Sequence, residues 1–141
     1  MPLRGGSKSI PSKNILEVEG KPLFAWGLEA ALGSKCFDII LVATDSPQIK
    51  AAVQNWFGDK IKVISRTEES ATDEAATELV MLEVSEKYEY SVMSLIQATS
   101  PLTQSNHISE AKEFFIKESL DSLFTGVLKK SFYWSLKNEP F

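Results

Sequence analysis

The apolar run at residues 38–44 limits the fold of this chain more than any other feature of its sequence. Its five central residues, Ile-Ile-Leu-Val-Ala, are all apolar and are bounded by Asp38 and Thr44, and an unbroken apolar stretch of this kind is typical of a strand buried on both faces of a parallel sheet. A helix from about Gln48 to Phe57 and a strand at Ile61–Ile64 are predicted to follow it. Strand, helix and strand at this spacing predict parallel strands joined by a right-handed crossover, and hence an α/β fold.

The rest of the chain continues the alternation of helices and strands. An earlier helix is predicted to end near Gly33, which would stand just after it as the C′ residue. Either Asp45 or Ser46 is predicted to cap the helix at 48–57, and Ser105 or Asn106 to cap the last helix. The other predicted elements are a connector at 16–19, helices at about 74–86 and 107–117, and strands at 91–96 and 122–128.

Composition excludes several classes of function. The chain has 141 residues, enough for one domain with one core, and its 43% hydrophobic and 24% charged content argues against disorder. Because its net charge is −4 and its basic residues form no long patch, a nucleic acid polymer is not expected as a partner. No stretch reaches the roughly 20 apolar residues that span a bilayer, so no membrane partner is expected either. Cys36 is the single cysteine, which excludes an intrachain disulfide and favours a cytoplasmic protein.

The segment Arg4–Asn14 has the composition of an anion-binding loop. Its adjacent glycines, Gly5 and Gly6, allow positive φ angles and let N–H groups approach a ligand, while its arginine and lysines can donate charge-assisted hydrogen bonds to phosphate oxygens. Neither common phosphate motif fits. A Walker loop would need glycine in place of Ser7, just before Lys8, and the dinucleotide fingerprint would need a third glycine. On local composition alone, a basic terminal arm that is only solvated is the alternative.

Polar segments follow the predicted strands. Asp45 follows the first of them, the loop at 66–73 follows the second, and residues 97–101 follow the third. Because ligands of open parallel sheets bind at the carboxyl ends of the strands, these segments and the glycine loop are expected to converge on one site. Two alternatives stay open: Asp45 caps its helix without touching a ligand, and Arg66 is a solvated loop cation.

The order of these segments resembles a known family. Arg-Gly-Gly-Ser-Lys-x-Ile-Pro-x-Lys-Asn at 4–14, followed by Gly-Lys-Pro-Leu at 20–23, closely resembles the signature of the CMP-N-acylneuraminate synthetases, the cytidylyltransferases that activate sialic acid. Further matching segments are Ala43–Ser46, Arg66 with Ser70–Asp73, Gln97–Leu102, Asp121–Phe124 and Phe132–Ser135. The resemblance implies a single nucleotidyltransferase domain over residues 1–141, with a three-layer α/β/α, Rossmann-like, mostly parallel sheet. It also implies transfer of CMP from CTP to a nine-carbon sugar acid with release of pyrophosphate.

The same resemblance implies roles for individual residues of the first loop. The triphosphate would be held by Arg4, Gly5, Gly6, Ser7 and Lys8. The catalytic candidates are Lys13, Lys8 and Arg4, and Lys13 leads them because it would lie near the α-phosphate.

Residues beyond that loop would bind the remaining parts of the two substrates. Asn14 would position the nucleotide, Arg66 and Thr77 would contact the cytosine or the ribose, and Gln97 would contact the sugar acid or the nucleotide. His107, near a predicted helix start, is interpreted as a structural residue rather than as a general base.

A divalent cation is also implied, because nucleotidyl transfer uses Mg²⁺ or Mn²⁺ to neutralise phosphate charge. The third predicted strand ends in Gln97, Ala98 and Thr99, where the related ketodeoxyoctonate enzymes carry Gln-Gly-Asp. This departure favours the sialic-acid branch. The metal carboxylates of that branch lie further along the chain, so no metal ligand is expected within residues 1–141.

Compared with the family, the chain is expected to be incomplete. Met1–Leu3 is too short for the usual first strand, which would be absent or reduced to a stub, and the C-terminal part would be missing. A homodimer is expected, in the cytoplasm or, in an animal, in the nucleus. The alternative function is a nucleotide-binding fragment that needs another chain or further segments for catalysis. A transferase acting on a sugar phosphate is disfavoured, because a second arginine would be expected where Lys8 and Ser9 stand.

Overall fold

The computed structural model describes residues 1–6, 10–67, 70 and 77–130. Its strands are β1 (Glu17–Val18), β2 (Lys21–Pro22), β3 (Leu41–Thr44) and β4 (Lys62–Ser65). Its α-helices are α1 (Leu23–Ser34), α2 (Pro47–Phe57), α3 (Thr77–Lys87) and α4 (Ser105–Lys117), and 3-10 helices cover Lys13–Ile15 and Gly58–Lys60. The four predicted helices are therefore confirmed, apart from residues 74–76, which lie outside the described ranges. Within those ranges no helix combines the length and the apolar character that a membrane span requires.

A parallel pair of strands, β3 and β4, forms the centre of the fold. Their register runs from Leu41 opposite Lys62 to Thr44 opposite Ser65, and α2 connects them. This arrangement confirms the predicted strand, helix and strand. Strand β3 begins at Leu41 rather than at residue 38, so only the second half of the apolar run pairs with β4.

The predicted connector at 16–19 forms a hairpin instead. Strand β1 pairs with β2 in antiparallel register, and the two turn residues, Glu19 and Gly20, have φ angles of 50° and 81°. Two positive φ angles are the geometry of a tight hairpin turn whose twist matches that of its strands. Glutamate is an unusual residue for the first of these positions, which is why the hairpin was not predicted.

The first three residues add another parallel row beside β3, on the side opposite β4. Pro2 bridges to Ala43, whose N–H donates to the Met1 carbonyl oxygen at 3.1 Å and whose carbonyl oxygen accepts the Leu3 N–H at 2.8 Å. The Met1 amino group donates to the Leu41 carbonyl oxygen at 2.7 Å, and its burial lowers its pKa to about 6. Since Leu3 is also fully buried, this short segment occupies the position of a strand.

The predicted strand at 91–96 is wrong. This segment lies with Met1 and Pro2 around a cavity of about 150 Å³ instead of joining the sheet. The backbone polar groups of residues 1–3 explain why this segment does not join the sheet. Because the Met1 carbonyl and the Leu3 N–H both bond to Ala43, the next strand would have to pair with Pro2, which has no N–H. Pro2 therefore gives that edge an acceptor but no donor.

The predicted strand at 122–128 is wrong as well. Its large apolar side chains are exposed to solvent, with values of 91% for Phe124, 92% for Val127 and 94% for Leu128. A strand preference is realised only where a neighbouring strand supplies hydrogen bonds and side-chain contacts. Among the residues that the structure describes, none pairs with this segment.

One apolar core joins the sheet to the helices. Its buried members come from the first three residues, α1, β3, α2 and two residues outside the helices and strands. They are Leu3, Phe24, Ala25, Leu28, Val42, Ile49, Val53, Phe57, Ile61 and Ala98. The rings of Phe24 and Phe57 have centroids 6.4 Å apart and tie the start of α1 to the end of α2. The core therefore holds the loops that leave the carboxyl ends of the strands against a fixed base.

Helix α4 packs across the end of α1, and two predictions about this region are wrong. Gly33 lies inside α1, not after it, and a Cβ there would come within 2.5 Å of the Ser105 hydroxyl oxygen, so the glycine permits the close crossing. The N-cap of α4 is Gln104 rather than Ser105 or Asn106. The Gln104 N–H donates to Nδ1 of His107 at 3.2 Å, which confirms the structural interpretation of His107.

Replacing Leu3 with alanine is expected to lower the free energy of unfolding by about 2–5 kcal/mol, because the side chain is fully buried. The matched control is Leu102→Ala, since Leu102 is 86% exposed and its truncation should cost less than about 0.5 kcal/mol. Urea denaturation followed by circular dichroism measures both values. Equal stability of the two variants would contradict the assignment of residues 1–3 to the core.

Candidate functional site

The loop that follows the first row and the loop that follows β3 are joined by a hydrogen bond. The Gly5 N–H donates to Oδ1 of Asp45 at 3.0 Å. Both residues leave neighbouring parallel strands at their carboxyl ends, which is the edge where ligands of open α/β sheets bind. Asp45 does not cap α2, because Ser46 is the N-cap and its hydroxyl oxygen accepts the Ile49 N–H at 3.4 Å.

Gly5 is required by close packing rather than by its backbone angles. A Cβ at this position would come within 2.9 Å of the Ser46 Cβ, whereas one at Gly6 would have nothing within 4 Å. The expected positive φ angle occurs at Ser12 instead, with a value of 53°. The glycine therefore allows the first loop to lie directly on the start of α2.

The far end of the first loop turns back onto its beginning. Lys13 and Asn14 belong to the 3-10 helix Lys13–Ile15, and the Asn14 side-chain amide donates to the Arg4 carbonyl oxygen at 3.0 Å. Asn14 thus fixes the backbone next to the predicted triphosphate contacts. Ser7 and Lys8, which the sequence assigns to the same loop, lie outside the described residues.

Arg66 stands directly after β4 and is held by Ser70. Its guanidinium donates to the Ser70 carbonyl oxygen through Nη2 and to the Ser70 hydroxyl oxygen through Nε, the second at 3.5 Å. Ser70 is fully buried, so these contacts have a fixed partner. Arg66 is itself partly buried, which contradicts the alternative of a solvated loop cation.

The electrostatics place Arg66 in the same group as Arg4 and Asp45. Burial lowers the pKa of Arg66, the charges of Asp45 and Glu83 oppose this effect, and the charge of Arg4 adds to it. An arginine stays protonated under these conditions, so two guanidinium groups interact at this edge, and the carboxylates of Asp45 and Glu83 both act on Arg66. An anionic ligand would relieve the repulsion between the two arginines.

The remaining predicted site residues lie further along the chain. Thr77 is half-buried and is the first residue of α3. Gln97 follows the segment at 91–96, accepts a hydrogen bond from the Thr99 hydroxyl at 3.3 Å, and lies beside Gly27 in the middle of α1. The structure therefore brings Arg4, Gly5, Asn14 and Arg66 together, while the contacts of Gln97 are with its own segment and with α1.

Two residues of the site were not predicted from the sequence. Ser46 supplies the surface on which Gly5 packs, and Glu83 in α3 accepts hydrogen bonds from Thr67, next to Arg66. The Asp45–Ser46 pair was visible as a helix start, which indicated a cap but not a packing surface. Nothing in the spacing of Glu83 distinguishes it from the other carboxylates on its helix.

The described contacts of Asp45 are with groups of the protein. Among the residues that the structure describes, no group of three His, Cys, Asp or Glu side chains could hold an ion. Asp45 Oδ1 accepts the Gly5 N–H, and the carboxylate interacts with the charge of Arg66. Magnesium needs open oxygen ligands at short, near-octahedral distances. The described part of the edge suits an anion better than a cation.

Together these features define an α/β domain whose polar groups gather at the carboxyl edge of a parallel sheet. The chain belongs to the cytidylyltransferase family, which it matches over residues 1–137. It is similar to the solved structure of a CMP:2-keto-3-deoxy-manno-octonic acid synthetase complexed with CTP, with a TM-score of 0.71 and 27% identity over 84% of this chain and 46% of that one. The expected Rossmann-like nucleotidyltransferase fold is thereby confirmed.

Relatives of known function cover most of the chain. The N-acylneuraminate cytidylyltransferase A of Danio rerio is 37% identical over 93% of this chain and 30% of its own length. The N-acylneuraminate cytidylyltransferase of Escherichia coli is 39% identical over 82% of this chain and 27% of its own length. The pseudaminic acid cytidylyltransferase of Campylobacter jejuni is 31% identical over 100% of this chain and 64% of its own length. The chain thus spans less than a third of the two N-acylneuraminate enzymes.

Gly5→Ala is expected to lower the free energy of unfolding by about 1–3 kcal/mol, because its Cβ would come within 2.9 Å of the Ser46 Cβ. Gly6→Ala is the matched control, since a Cβ there meets nothing within 4 Å. Chemical denaturation of both variants gives the comparison. If the two alanines had the same effect, the loop would not be packed on α2 as described.

Proposed function

We propose that this chain is the nucleotide-binding part of a cytidylyltransferase that transfers CMP from CTP to a sialic-acid-type, nine-carbon sugar acid. The observation that carries the proposal is the hydrogen bond between Gly5 and Asp45, which fixes the glycine loop at the edge where Arg4 and Arg66 interact. Two guanidinium groups beside a glycine loop suit a polyphosphate. The similarity to enzymes that act on N-acylneuraminate and pseudaminic acid supports the choice of sugar.

In the proposed reaction, the oxygen of the sugar-acid hydroxyl forms a bond to the α-phosphorus of CTP. The bond from that phosphorus to the leaving pyrophosphate breaks, and the hydroxyl proton is released. Such transfers depend mainly on positioning and on cations placed where negative charge grows. Arg4, Ser7 and Lys8 would hold the triphosphate, and Lys13 would lie at the α-phosphate, with its backbone ordered by the 3-10 helix that Asn14 anchors.

The other predicted contacts complete the proposal. Arg66 and Thr77 would bind the cytosine or the ribose, and Gln97 would bind the sugar acid or the nucleotide. The buried partner of Arg66, Ser70, supports a fixed direction for that guanidinium. A requirement for Mg²⁺ or Mn²⁺ belongs to the proposal too, with the ion entering on the triphosphate oxygens of CTP.

A second candidate is a nucleotide-binding fragment that needs further protein for catalysis. This second candidate is favoured by the length of the relatives, because the chain spans 30% or less of the two N-acylneuraminate enzymes. The two candidates share CTP binding and differ in turnover. Release of pyrophosphate by the chain alone separates them.

Arg4→Ala is expected to weaken CTP binding by roughly 10- to 100-fold, the usual effect of losing a hydrogen bond to a charged group. Lys13→Ala should lower the rate of pyrophosphate release by about 100-fold or more. Calorimetry with CTP and Mg²⁺, compared with ATP, measures binding, and an assay with N-acetylneuraminate measures turnover. Lys60→Ala is the control, because Lys60 is exposed and precedes β4 at the opposite end of that strand. A folded chain that binds no CTP would overturn the proposal.

We also propose that the protein forms a homodimer through residues 123–128. Four large apolar side chains in this segment are 40–94% exposed, an arrangement typical of a surface that a partner covers. Sedimentation velocity is expected to give twice the chain mass of 15.7 kDa. Phe124→Asp should shift the protein to the monomer. Leu102→Asp should not, because Leu102 is similarly exposed but lies outside this segment. A monomer at all concentrations would contradict the dimer.

A further inference from the structure

We propose that Glu83 is a positioning residue for Arg66: it anchors the next residue, Thr67, to α3, and thereby directs the Arg66 guanidinium toward the nucleotide. The inference rests on the proposed function for the identity of the ligand, CTP. The positioning itself rests on contacts between Glu83, Thr67, Ser70 and Arg66.

The anchor consists of two hydrogen bonds to one residue. The Thr67 N–H donates to Oε2 of Glu83 at 3.4 Å, and the Thr67 hydroxyl donates to Oε1. Both carboxylate oxygens of Glu83 are therefore engaged by the residue that follows Arg66. A carboxylate that binds a backbone N–H and a hydroxyl together restricts the direction of the chain at that point.

The contacts continue from Thr67 to Arg66 through a buried serine. The Ser70 N–H donates to the Thr67 hydroxyl oxygen at 3.3 Å, and the Ser70 hydroxyl donates to the Thr67 carbonyl oxygen at 3.3 Å. Ser70 in turn accepts both hydrogen bonds from Arg66. Ser70 is fully buried, so water cannot replace its hydrogen bonds. A change at Thr67 is therefore expected to alter the position of the Arg66 guanidinium.

The ionisation of Glu83 fits this role. Partial burial acts to raise the pKa of its carboxyl, but the hydrogen bonds from Thr67 and Ser70 and the charge of Lys87 outweigh that effect, so the pKa is lowered. Glu83 is therefore charged at neutral pH and adds to the negative potential at Arg66. Glu86, three residues further along α3, is exposed to solvent and provides a matched carboxylate.

The test is a double-mutant cycle on CTP affinity, measured by calorimetry. Glu83→Ala is expected to weaken CTP binding by about tenfold in the wild-type background and to have no further effect in Arg66→Ala. Glu83→Gln, which retains one acceptor oxygen, should recover part of the affinity, and Glu86→Ala should leave it unchanged. Thr67→Val, which removes the hydroxyl but keeps the side-chain shape, should match Glu83→Ala and should not add to it. Independent, additive effects of Glu83 and Arg66 would overturn the inference.

A measurement without ligand separates this inference from the proposed function. Amide hydrogen exchange at Thr67 and Ser70 reports the hydrogen bonds directly, and the Nε–H of Arg66 reports the order of its side chain. Glu83→Ala should accelerate exchange at all three groups by about tenfold, and Glu86→Ala at none. If the wild type binds no CTP, the proposed function fails. The hydrogen-exchange measurement then tests the positioning role by itself. Unchanged exchange in Glu83→Ala would refute that role whether or not CTP binds.

Discussion

The parallel pairing of the first three residues with β3 is the constraint on which the site depends. The bond from the Leu3 N–H to the Ala43 carbonyl fixes the register, so the chain reaches Gly5 just where β3 delivers Asp45. A shift by one residue would turn the Leu3 side chain out of the core and would move Gly5 away from the Asp45 carboxylate. The same backbone hydrogen bonds to β3 therefore bury Leu3 and position the anion-binding loop.

The charges at the sheet edge follow from this geometry. Arg66 loses hydration when it is partly buried, and Arg4 repels it, so the two guanidinium groups are held together at a cost. Asp45 offsets part of that cost, and one of its oxygens also accepts the Gly5 N–H. The mutual repulsion of the two guanidinium groups still acts at this edge. That edge is suited to a ligand that brings several negative charges at once, as a triphosphate does.

Local patterns predicted the elements that need little from their neighbours. The four helices and the β3–α2–β4 unit could be predicted because periodicity and apolar runs act within a short segment. The strands at 91–96 and 122–128 could not, because a strand also needs a partner edge, and Pro2 removes a donor from the edge next to the first of them. In the site, the composition of the first loop indicated an anion. The packing of Gly5 on Ser46 and the anchoring of Thr67 by Glu83 depend on residues 16 or more positions apart, which no local pattern contains.

The two sides of the site are thus held by different kinds of interaction, and they should respond differently to change. The Arg4 side is fixed by a backbone ladder and a buried leucine, so disturbing it affects the folding of the whole chain. The Arg66 side is fixed by side-chain hydrogen bonds from α3, of which those to Glu83 lie at the surface. Such contacts open locally at far lower free energy than a core ladder does. Ligand affinity can therefore be altered through the Arg66 side while the folded state stays intact.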